Sequence, residues 1–231
     1  MQFEQTLIPA TLVRRYKRFL ADVTLADGSL LTVHCPNSGS MLGCQAPGSR
    51  VLLSRADNPR RKYPHTWELV EVGGCWVGIN TARTNHLVRE ALVAGRIAEI
   101  GTVDEIRAEV KVSARSRLDL LLRQGERQTY VEVKNCSLVE DGIAMFPDAV
   151  TSRGVRHLEE LADLRRAGFG AVIFFCVQRG DAELFAPAAH IDPLYAATLA
   201  RVVSAGVTVL AYRAEVGPGA IRVVAALPVR V

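Results

Sequence analysis

The chain has 231 residues, 49% of them apolar and 23% charged, with a formal net charge of +4; this suits one large domain or two small ones with a packed core. No apolar run reaches the roughly 18 to 20 residues that a membrane helix needs, and the N-terminus does not have the pattern of a signal peptide. Five scattered cysteines without a C-x-x-C pair argue against structural zinc and a disulfide framework. We therefore expect a cytoplasmic protein with no membrane partner.

Two basic clusters account for much of the charge excess of residues 1–80, which carry nine Lys and Arg against six Asp and Glu. The clusters are Arg14, Arg15, Lys17 and Arg18, and Arg60, Arg61 and Lys62. Tyr16 and Phe19 accompany the first cluster, and Tyr63 and Trp67 follow the second. Basic side chains for phosphates beside aromatic rings for bases favour a nucleic-acid surface, and the alternative for either cluster is an ordinary solvated loop.

Residues 1–81 are predicted to form a small β-rich domain. Asp27-Gly28 and Gly73-Gly74 each separate two apolar segments, as in tight hairpins. The predicted strands are Phe19–Leu25, Leu30–His34, Val51–Ser54, Leu69–Val72 and Trp76–Ile79. Short strands with Gly-rich turns favour a small β-barrel of the OB type, although an SH3-like barrel would produce much the same pattern.

A polar loop, His34–Met41, connects the two hairpin regions. Asn37, Ser38 and Gly39 offer backbone amides and hydroxyls that could hold a phosphate. The alternative is a tight structural loop. Because no strand-loop-helix frame and no P-loop lysine accompany it, this segment is not an ATP site.

Residues 82–231 are predicted to form a second, α/β domain in which helices alternate with strands. The predicted elements are a helix over Asn85–Ala94, strands over Ile106–Val112, Arg117–Leu122 and the run around Val131, a strand over Gly142–Met145, a helix ending near Arg166, a strand over Ala171–Val177, a helix over Pro193–Ala205 and strands over Val207–Tyr212 and Ile221–Leu227. The apolar run Ala171–Val177 is typical of a strand buried on both faces.

A hairpin in the middle of this domain carries the candidate chemistry. Gln124–Gln128 reads as its turn, and a symmetric hairpin then places Asp119 directly opposite Glu132, with Cβ atoms roughly 5 Å apart. Leu118, Leu120 and Leu122 should share the opposite face from Asp119. Facing carboxylates repel unless a cation lies between them, and Mg²⁺ prefers one or two carboxylates together with waters and phosphate oxygens.

Three further residues complete this hypothesis. Lys134 shares the face of Glu132 and could stabilise charge on a phosphate or orient a water. Glu90, at the edge of the first helix, is a candidate third metal ligand. Arg153 and His157 are four residues apart on the second helix and could reach a phosphate, the alternative being a solvated face that also includes Arg156 and Glu160.

The Asp and Glu-x-Lys arrangement resembles the active site of the PD-(D/E)xK nuclease superfamily, whose core has the order αβββαβ, here with an added αβ unit. The whole chain also resembles the sugar fermentation stimulation protein A family. The matching segments are Cys35–Met41, Ser116–Asp119, Tyr130–Asn135, Phe146–Thr151 and Arg153-Gly154 with His157-Leu158. This resemblance implies an OB-fold domain followed by a nuclease-like domain, and a role in binding DNA.

Two functions remain open from the sequence. The first is a nuclease that depends on Mg²⁺ or Mn²⁺, with Asp119, Glu132 and Lys134 as catalytic residues and Asp119, Glu132 and Glu90 as metal ligands. The second is a DNA-binding regulator of sugar-utilisation genes that keeps the same fold without turnover. An enzyme acting on small sugars is disfavoured because the chain lacks a nucleotide-binding motif and a nucleophile constellation. The sequence does not distinguish single-stranded from double-stranded DNA.

Overall fold

The computed structural model describes residues 1–113 and 116–231, which fold into an N-terminal barrel and a larger α/β domain. The strands of the barrel are β1 (Ile8–Tyr16), β2 (Leu20–Leu25), β3 (Leu30–His34), β4 (Arg50–Arg55), β5 (His65–Val72) and β6 (Cys75–Gly78). The sequence predicted all of these strands except β1. In β1 only Ala10 and Leu12 are buried, and the strand ends in basic residues, so its alternation of apolar and polar residues is too short to recognise.

The barrel has the connectivity of an OB-fold. Strand β1 pairs with both β2 and β4, and β4 pairs with β5, so that one continuous ladder runs from β3 to β6. A parallel bridge between His34 of β3 and Thr66 of β5 then closes the barrel. Side chains that alternate inward along these strands fill its interior, including the fully buried Trp67. The predicted OB-type barrel is therefore confirmed.

The second domain is built around a mixed sheet. Its elements are α1 (Thr84–Val93), β7 (Glu105–Lys111), β8 (Arg117–Gln124), β9 (Arg127–Cys136), β10 (Leu138–Glu140), β11 (Ile143–Phe146), α2 (Ser152–Arg166), β12 (Gly170–Val177), β13 (Leu184–Pro187), α3 (Pro193–Ser204), β14 (Thr208–Val216) and β15 (Ile221–Ala226). The sheet order is β15-β14-β12-β9-β8-β7, and β10, β11 and β13 form a smaller sheet. The αβββαβ order with an added αβ unit is confirmed.

Helices cover both faces of the main sheet. On one face Leu87 of α1 packs with Leu120, Val131 and Phe174, and on the other Leu158 of α2 packs with Phe175. The continuous apolar run of β12 follows from this arrangement, because β12 lies between β9 and β14 and its successive side chains enter opposite cores. Among the residues described, no helix is both long and apolar enough to cross a membrane.

Side-chain caps fix where the two helices on the second face begin. The Thr151 hydroxyl accepts a hydrogen bond from the Gly154 amide, 3.0 Å away, at the start of α2. The Asp192 carboxylate accepts one from the Tyr195 amide at 2.9 Å, at the start of α3, where Pro193 occupies the first turn. Asp192 also accepts from the Thr151 amide, so that one carboxylate ties the starts of α2 and α3 together.

The β8–β9 hairpin has the predicted register. Gln124 pairs with Arg127 and Leu120 with Val131, which is the register predicted from the turn, and the regular pairing ends at Leu120, one residue before Asp119. Gly125 has a φ of 58° at the first position of the two-residue turn, a conformation that glycine adopts at little cost.

One detail of the hairpin differs from prediction. Leu118 packs in the core beneath α2, whereas Leu120 and Leu122 pack beneath α1. In a regular antiparallel ladder the Val133 amide would donate a hydrogen bond to the Leu118 carbonyl. Here it donates instead to the Asp119 carboxylate, at 2.8 Å. Because a side chain replaces a ladder bond there, β8 leaves the regular sheet at Asp119 and Leu118 turns to the other core.

The two domains share contacts along their whole junction. Gln2 forms a bridge with Ala220, and the Phe3 amide donates to the Gly219 carbonyl, so that the first residues lie against the end of the second domain. At the other end of the barrel the Gly78 amide donates to the Gln178 carbonyl. A Cβ atom at Gly78 would lie 2.3 Å from the Gln178 side-chain oxygen, so this close approach requires glycine.

Candidate active site

A cleft of about 350 Å³ opens where the barrel meets the central hairpin. We call it the junction cleft. The barrel contributes Asn37, Ser38 and Gly39, and the hairpin contributes Asp119 and Lys134. Asn85 of α1, Asp148 of the loop before α2, and Arg153 of α2 complete its polar walls. The predicted site therefore lies between the two domains rather than within one of them.

Asp119 is held by one residue on each side. Its Oδ2 atom accepts a hydrogen bond from the Val133 amide and its Oδ1 atom accepts one from the Asn85 amide group, both at 2.8 Å. Burial raises the pKa of the Asp119 carboxyl, and the neighbouring Glu132 carboxylate raises it further, while these two hydrogen bonds and Lys134 oppose the shift. The ionised form of Asp119 is therefore disfavoured in these surroundings.

Glu132 is buried and keeps its charge by a different route. Burial acts to raise its pKa, but hydrogen bonds and attraction from His157 and Lys134 outweigh it, so the pKa of Glu132 is lowered. The Glu132 Oε1 atom contacts His157 Nδ1 and lies 2.6 Å from Lys134 Nζ. Its Oε2 atom is buried without a hydrogen-bond partner in the described part of the chain. One oxygen is therefore fully engaged and the other is open to a further ligand.

His157 does not lie on the nucleic-acid surface that the sequence predicted. Only 6% of the residue is exposed, because it projects from α2 into the space above Glu132. Its neighbour on the same face, Arg153, remains exposed and lines the junction cleft. The helical spacing had correctly placed the two side chains together, but the burial of one of them depends on how α2 docks onto β9.

Glu90 is not placed to act as the third metal ligand. Its carboxylate lies 2.6 Å from the amino group of Met1 and 3.8 Å from the Arg96 guanidinium, in a separate pocket. The α1 residue that reaches Asp119 is Asn85. Five helical residues separate Asn85 from Glu90, which corresponds to a rotation of about 140° around the helix, so the two side chains point in different directions.

A basic groove continues from the junction cleft along the second domain, and the sequence analysis had not predicted it. We call it the distal groove. Lys111, at the end of β7, and Arg117, at the start of β8, line it together with Arg153 and Arg156 of α2. Arg117 and Arg156 were not recognised because they are far apart in the sequence. Arg117 lies two residues before Asp119 and Arg156 one helical turn after Arg153, and this closeness in sequence to the candidate site residues could have identified both.

The first basic cluster of the barrel has mainly structural contacts. Arg15 donates to the backbone carbonyls of Arg18, Asn37, Ser40 and, at 2.8 Å, Gly39. Arg15 therefore shapes the 37–40 loop instead of presenting its charge to solvent, contrary to prediction. Arg14 is exposed on one side but pairs with Asp22 at 2.9 Å, and Lys17 is exposed in the turn after β1.

The polar loop of the barrel joins the second domain and faces the cleft. The buried Asn37 donates to the Ile79 carbonyl and accepts from the Gly39 amide, so its side chain is a structural element of the loop and not a phosphate ligand. Asp148 accepts a hydrogen bond from the Met41 amide at 2.8 Å, and the Ser40 hydroxyl donates to the Asp148 carbonyl. Ser38 is exposed and lines the junction cleft.

The second basic cluster lies beside another pocket. Arg60 and Lys62 are exposed on the β4–β5 loop, and Arg61 borders a pocket of about 790 Å³ between this loop, α1 and residues 1–7. Trp67 cannot stack with a base, as the sequence analysis had supposed, because it is fully buried and its indole nitrogen donates to the Leu69 carbonyl.

The residues at the junction cleft fit a divalent cation of the Mg²⁺ type. The Asp119 carboxylate lines the cleft, and the buried Glu132 carboxylate lies close enough to raise the Asp119 pKa. The Glu132 Oε2 atom has no partner among the described residues. No group of three or more His, Cys, Asp and Glu side chains suited to a metal occurs in the described ranges. A site with two carboxylates is sufficient for Mg²⁺, which keeps several waters.

Comparison with known proteins covers both domains. Residues 13–79 match the family described as "SfsA N-terminal OB domain", and residues 82–220 match "Sugar fermentation stimulation protein RE domain". A sugar fermentation stimulation protein homolog of Pelobacter propionicus is 60% identical over 223 residues, which cover 96% of this chain and 97% of that one. The homolog of Geotalea uraniireducens is 53% identical over 230 residues, covering all of both chains.

A solved structure shows the same fold throughout. It is the structure described as that of Pyrococcus furiosus SfsA in complex with Ca²⁺. The two chains are 25% identical and superpose with a TM-score of 0.90 over 100% of this chain and 98% of the other.

Proposed function

The chain belongs to the sugar fermentation stimulation protein family, and from this premise we propose that it binds DNA and cleaves its phosphodiester bonds with Mg²⁺ or Mn²⁺. The observation that carries the proposal is the proximity of the buried Glu132 carboxylate to Asp119 and Lys134, which line the junction cleft. One Glu132 oxygen lacks a partner in the described structure. A hairpin gains no stability by placing two carboxylates together, so a bound cation accounts for an otherwise costly arrangement.

Asp119 and Glu132 would hold the cation. The Pyrococcus furiosus relative was described in complex with Ca²⁺, another cation that takes oxygen ligands, and this supports the proposal. When bound, the ion would lower the pKa of a coordinated water and offset charge on the phosphate. Asn85 and the Val133 amide fix the Asp119 carboxylate, and His157 fixes Glu132, so that both are held in place beforehand.

Lys134 is the residue that would act on the substrate. Its Nζ atom lies 2.6 Å from Glu132 at the wall of the cleft, where a positive charge can stabilise the phosphate or orient a water. Lys134 contacts Oε1 of Glu132, so it would stay beside the carboxylate when a cation is held through Oε2.

Exposed basic residues support DNA as the partner. Lys111, Arg117, Arg153 and Arg156 line the distal groove, and Arg60 and Lys62 extend from the barrel. Groups of this kind contact phosphates without regard to base sequence. The cysteines are all unpaired, as expected for the reducing environment of the cytoplasm, where we propose that the protein acts.

A cleavage assay tests the proposal. The purified protein is incubated with single- and double-stranded DNA and RNA in Mg²⁺, Mn²⁺ or EDTA, beside Asp119→Ala and Glu132→Gln. We expect cleavage of DNA only with the metals, reduced about a hundredfold or more in both variants. Glu126→Gln, which changes an exposed carboxylate at the tip of the same hairpin, is the matched control and should cleave like the parent. Binding of DNA without metal-dependent cleavage would instead favour the non-catalytic regulator.

A further inference from the structure

A chain of three side chains leads from the surface of the cleft to the buried carboxylate of Glu132. Arg153 is exposed and borders both the junction cleft and the distal groove. Its Nε atom donates to His157 Nε2 at 3.3 Å, and His157 Nδ1 contacts Glu132 Oε1. His157 itself is only 6% exposed and reaches the surface at the edge of the distal groove.

These contacts determine which imidazole nitrogen carries the proton. Because the Arg153 N–H group points at Nε2, this nitrogen must accept and cannot carry a hydrogen. The proton is then on Nδ1, which donates it to Glu132 Oε1. Lys134 Nζ lies 3.5 Å from the same Nδ1 atom but only 2.6 Å from Glu132, so its hydrogen bond goes to the carboxylate.

We infer that His157 is a positioning residue for the proposed metal site and that Arg153 fixes its orientation. The inference rests on the proposed function, because the role of Glu132 as a metal ligand is part of that function. His157 holds Oε1 of Glu132, which leaves Oε2 as the oxygen available to the cation. A metal ligand whose orientation is already fixed by a neighbour loses little conformational entropy when the metal binds, and the metal affinity is higher.

Arg153 can bind a phosphate while it holds His157. Its contact with the ring uses Nε alone, and the residue is exposed and lines the junction cleft, so the two terminal nitrogens can serve a phosphate. A phosphate bound there would restrict the Arg153 side chain in the conformation that orients His157. Nucleic acid bound in the cleft thus favours the same arrangement of Glu132 that the cation requires.

Calorimetry with Mn²⁺ on the full chain tests this role with two substitutions. In His157→Asn the side-chain amide occupies the place of Nδ1–H and still donates to Glu132, so the Mn²⁺ affinity should remain within about threefold of the parent. His157→Leu fills the space without a donor and should weaken Mn²⁺ binding by about 10- to 100-fold. Thermal melts identify any loss of folding in either variant.

A measurement without metal checks the link to Arg153. Nitrogen NMR of the imidazole reports the donor at Nε2: in Arg153→Ala the Nε2 resonance should shift from its position in the parent, because that nitrogen loses its hydrogen-bond donor. Arg156→Ala, one helical turn away in the same groove, should leave the Nε2 resonance unchanged.

The outcomes separate this inference from the proposed function. Equal weakening of Mn²⁺ binding in the Asn and Leu variants, or none in the Leu variant, would overturn the role of His157 while the metal site stands. A parent ring protonated at Nε2 would overturn the link to Arg153. A parent protein that binds no Mn²⁺ at all would remove the proposed function, and this inference with it.

Discussion

Asp119 and Glu132 are two neighbouring carboxyl groups whose surroundings shift their pKa values in opposite directions. Both lose hydration by burial. Glu132 is compensated by Lys134 and His157, whereas Asp119 receives neutral donors from Asn85 and Val133 and faces the charge of Glu132. The sequence predicted that the two carboxylates would face and repel each other. It could not predict which of the two pKa values is raised, because His157 is brought in by the docking of α2.

A pH prediction follows for the metal-free protein. Since the folded-state pKa of Asp119 is raised, Asp119 favours the folded state at low pH, and this contribution is lost as pH rises through the raised value. In Asp119→Asn the loss is absent, although one hydrogen bond is weakened at every pH. We therefore expect the Tm of the variant minus that of the parent to increase as the pH rises from about 4 to about 7. Thermal melts in EDTA measure this difference.

Two controls complete that measurement. Addition of Mg²⁺ at neutral pH should raise the Tm of the parent and leave Asp119→Asn nearly unchanged, because a ligand stabilises only a folded state that binds it. Glu126→Gln, at the exposed tip of the hairpin, should show no pH-dependent difference from the parent. A Tm difference for Asp119→Asn that is constant or falls with pH would mean that the carboxyl is not ionised at a cost in the fold.

At the scale of elements, the sequence predicted what depends on local periodicity. The β8–β9 register followed from the position of Gly125, and the burial of β12 on both faces followed from its unbroken apolar run. The prediction missed β10 and β13, which have three and four residues and are too short to show alternation. These strands are stabilised by pairing with β11. The turn of Leu118 into the other core was also missed, because it results from a side-chain bond between strands.

The loop before α2 provides a prediction at this scale. Asp148 accepts a hydrogen bond from the Met41 amide, and a Cβ atom at Gly39 would lie 3.2 Å from the same carboxylate. Asp148 thus helps to hold the barrel loop against the second domain. Asp148→Ala should lower the free energy of unfolding by about 1 to 2 kcal/mol, because a backbone donor loses its charged acceptor. Denaturant unfolding measures this loss.

The same variant should also disturb the junction cleft. In Asp148→Ala the 37–40 loop retains Arg15 and the bond from the Ser40 hydroxyl to the backbone carbonyl of position 148, but it loses the bond from the Met41 amide to the second domain. Removal of an acidic group alone strengthens binding to phosphates. We nevertheless expect Asp148→Ala to bind DNA more weakly than the parent, because the position of the loop is disturbed. Tighter binding in the variant would show that Asp148 acts through its charge and not through the position of the loop.

At the scale of the whole molecule, the pocket beside the β4–β5 loop adjoins the junction cleft. Pro36 and Asn80 border the pocket beside the β4–β5 loop, and their chain neighbours Asn37 and Thr81 border the junction cleft. The distal groove continues from the cleft through Arg153. A nucleic-acid strand can therefore run from the barrel loop, across the candidate active site, to the distal groove beside the first turns of α2. Only the folded chain brings these three surfaces into line, so no local pattern predicted the path.

The dependence of DNA affinity on salt tests this path. The slope of log affinity against log salt counts the phosphates neutralised, at about 0.7 for each on a single strand. If one strand contacts both ends, neutralising Arg60, Arg61 and Lys62 should flatten the slope, and neutralising Lys111, Arg117 and Arg156 should flatten it too. The combined variant should show the sum of the two changes, because sites at opposite ends of a strand act independently.

A matched control is the triple substitution of Arg201, Arg222 and Arg230, which removes the same charge. These exposed residues border neither the pocket beside the β4–β5 loop nor the junction cleft nor the distal groove, so the salt slope should not change. The distal triple variant is expected to bind weakly without affecting Mn²⁺ affinity, since none of its residues contacts Asp119, Glu132 or His157 through a described hydrogen bond. If only the distal substitutions flatten the slope, the strand does not reach the β4–β5 loop, and the second domain binds DNA while the barrel serves to position the 37–40 loop.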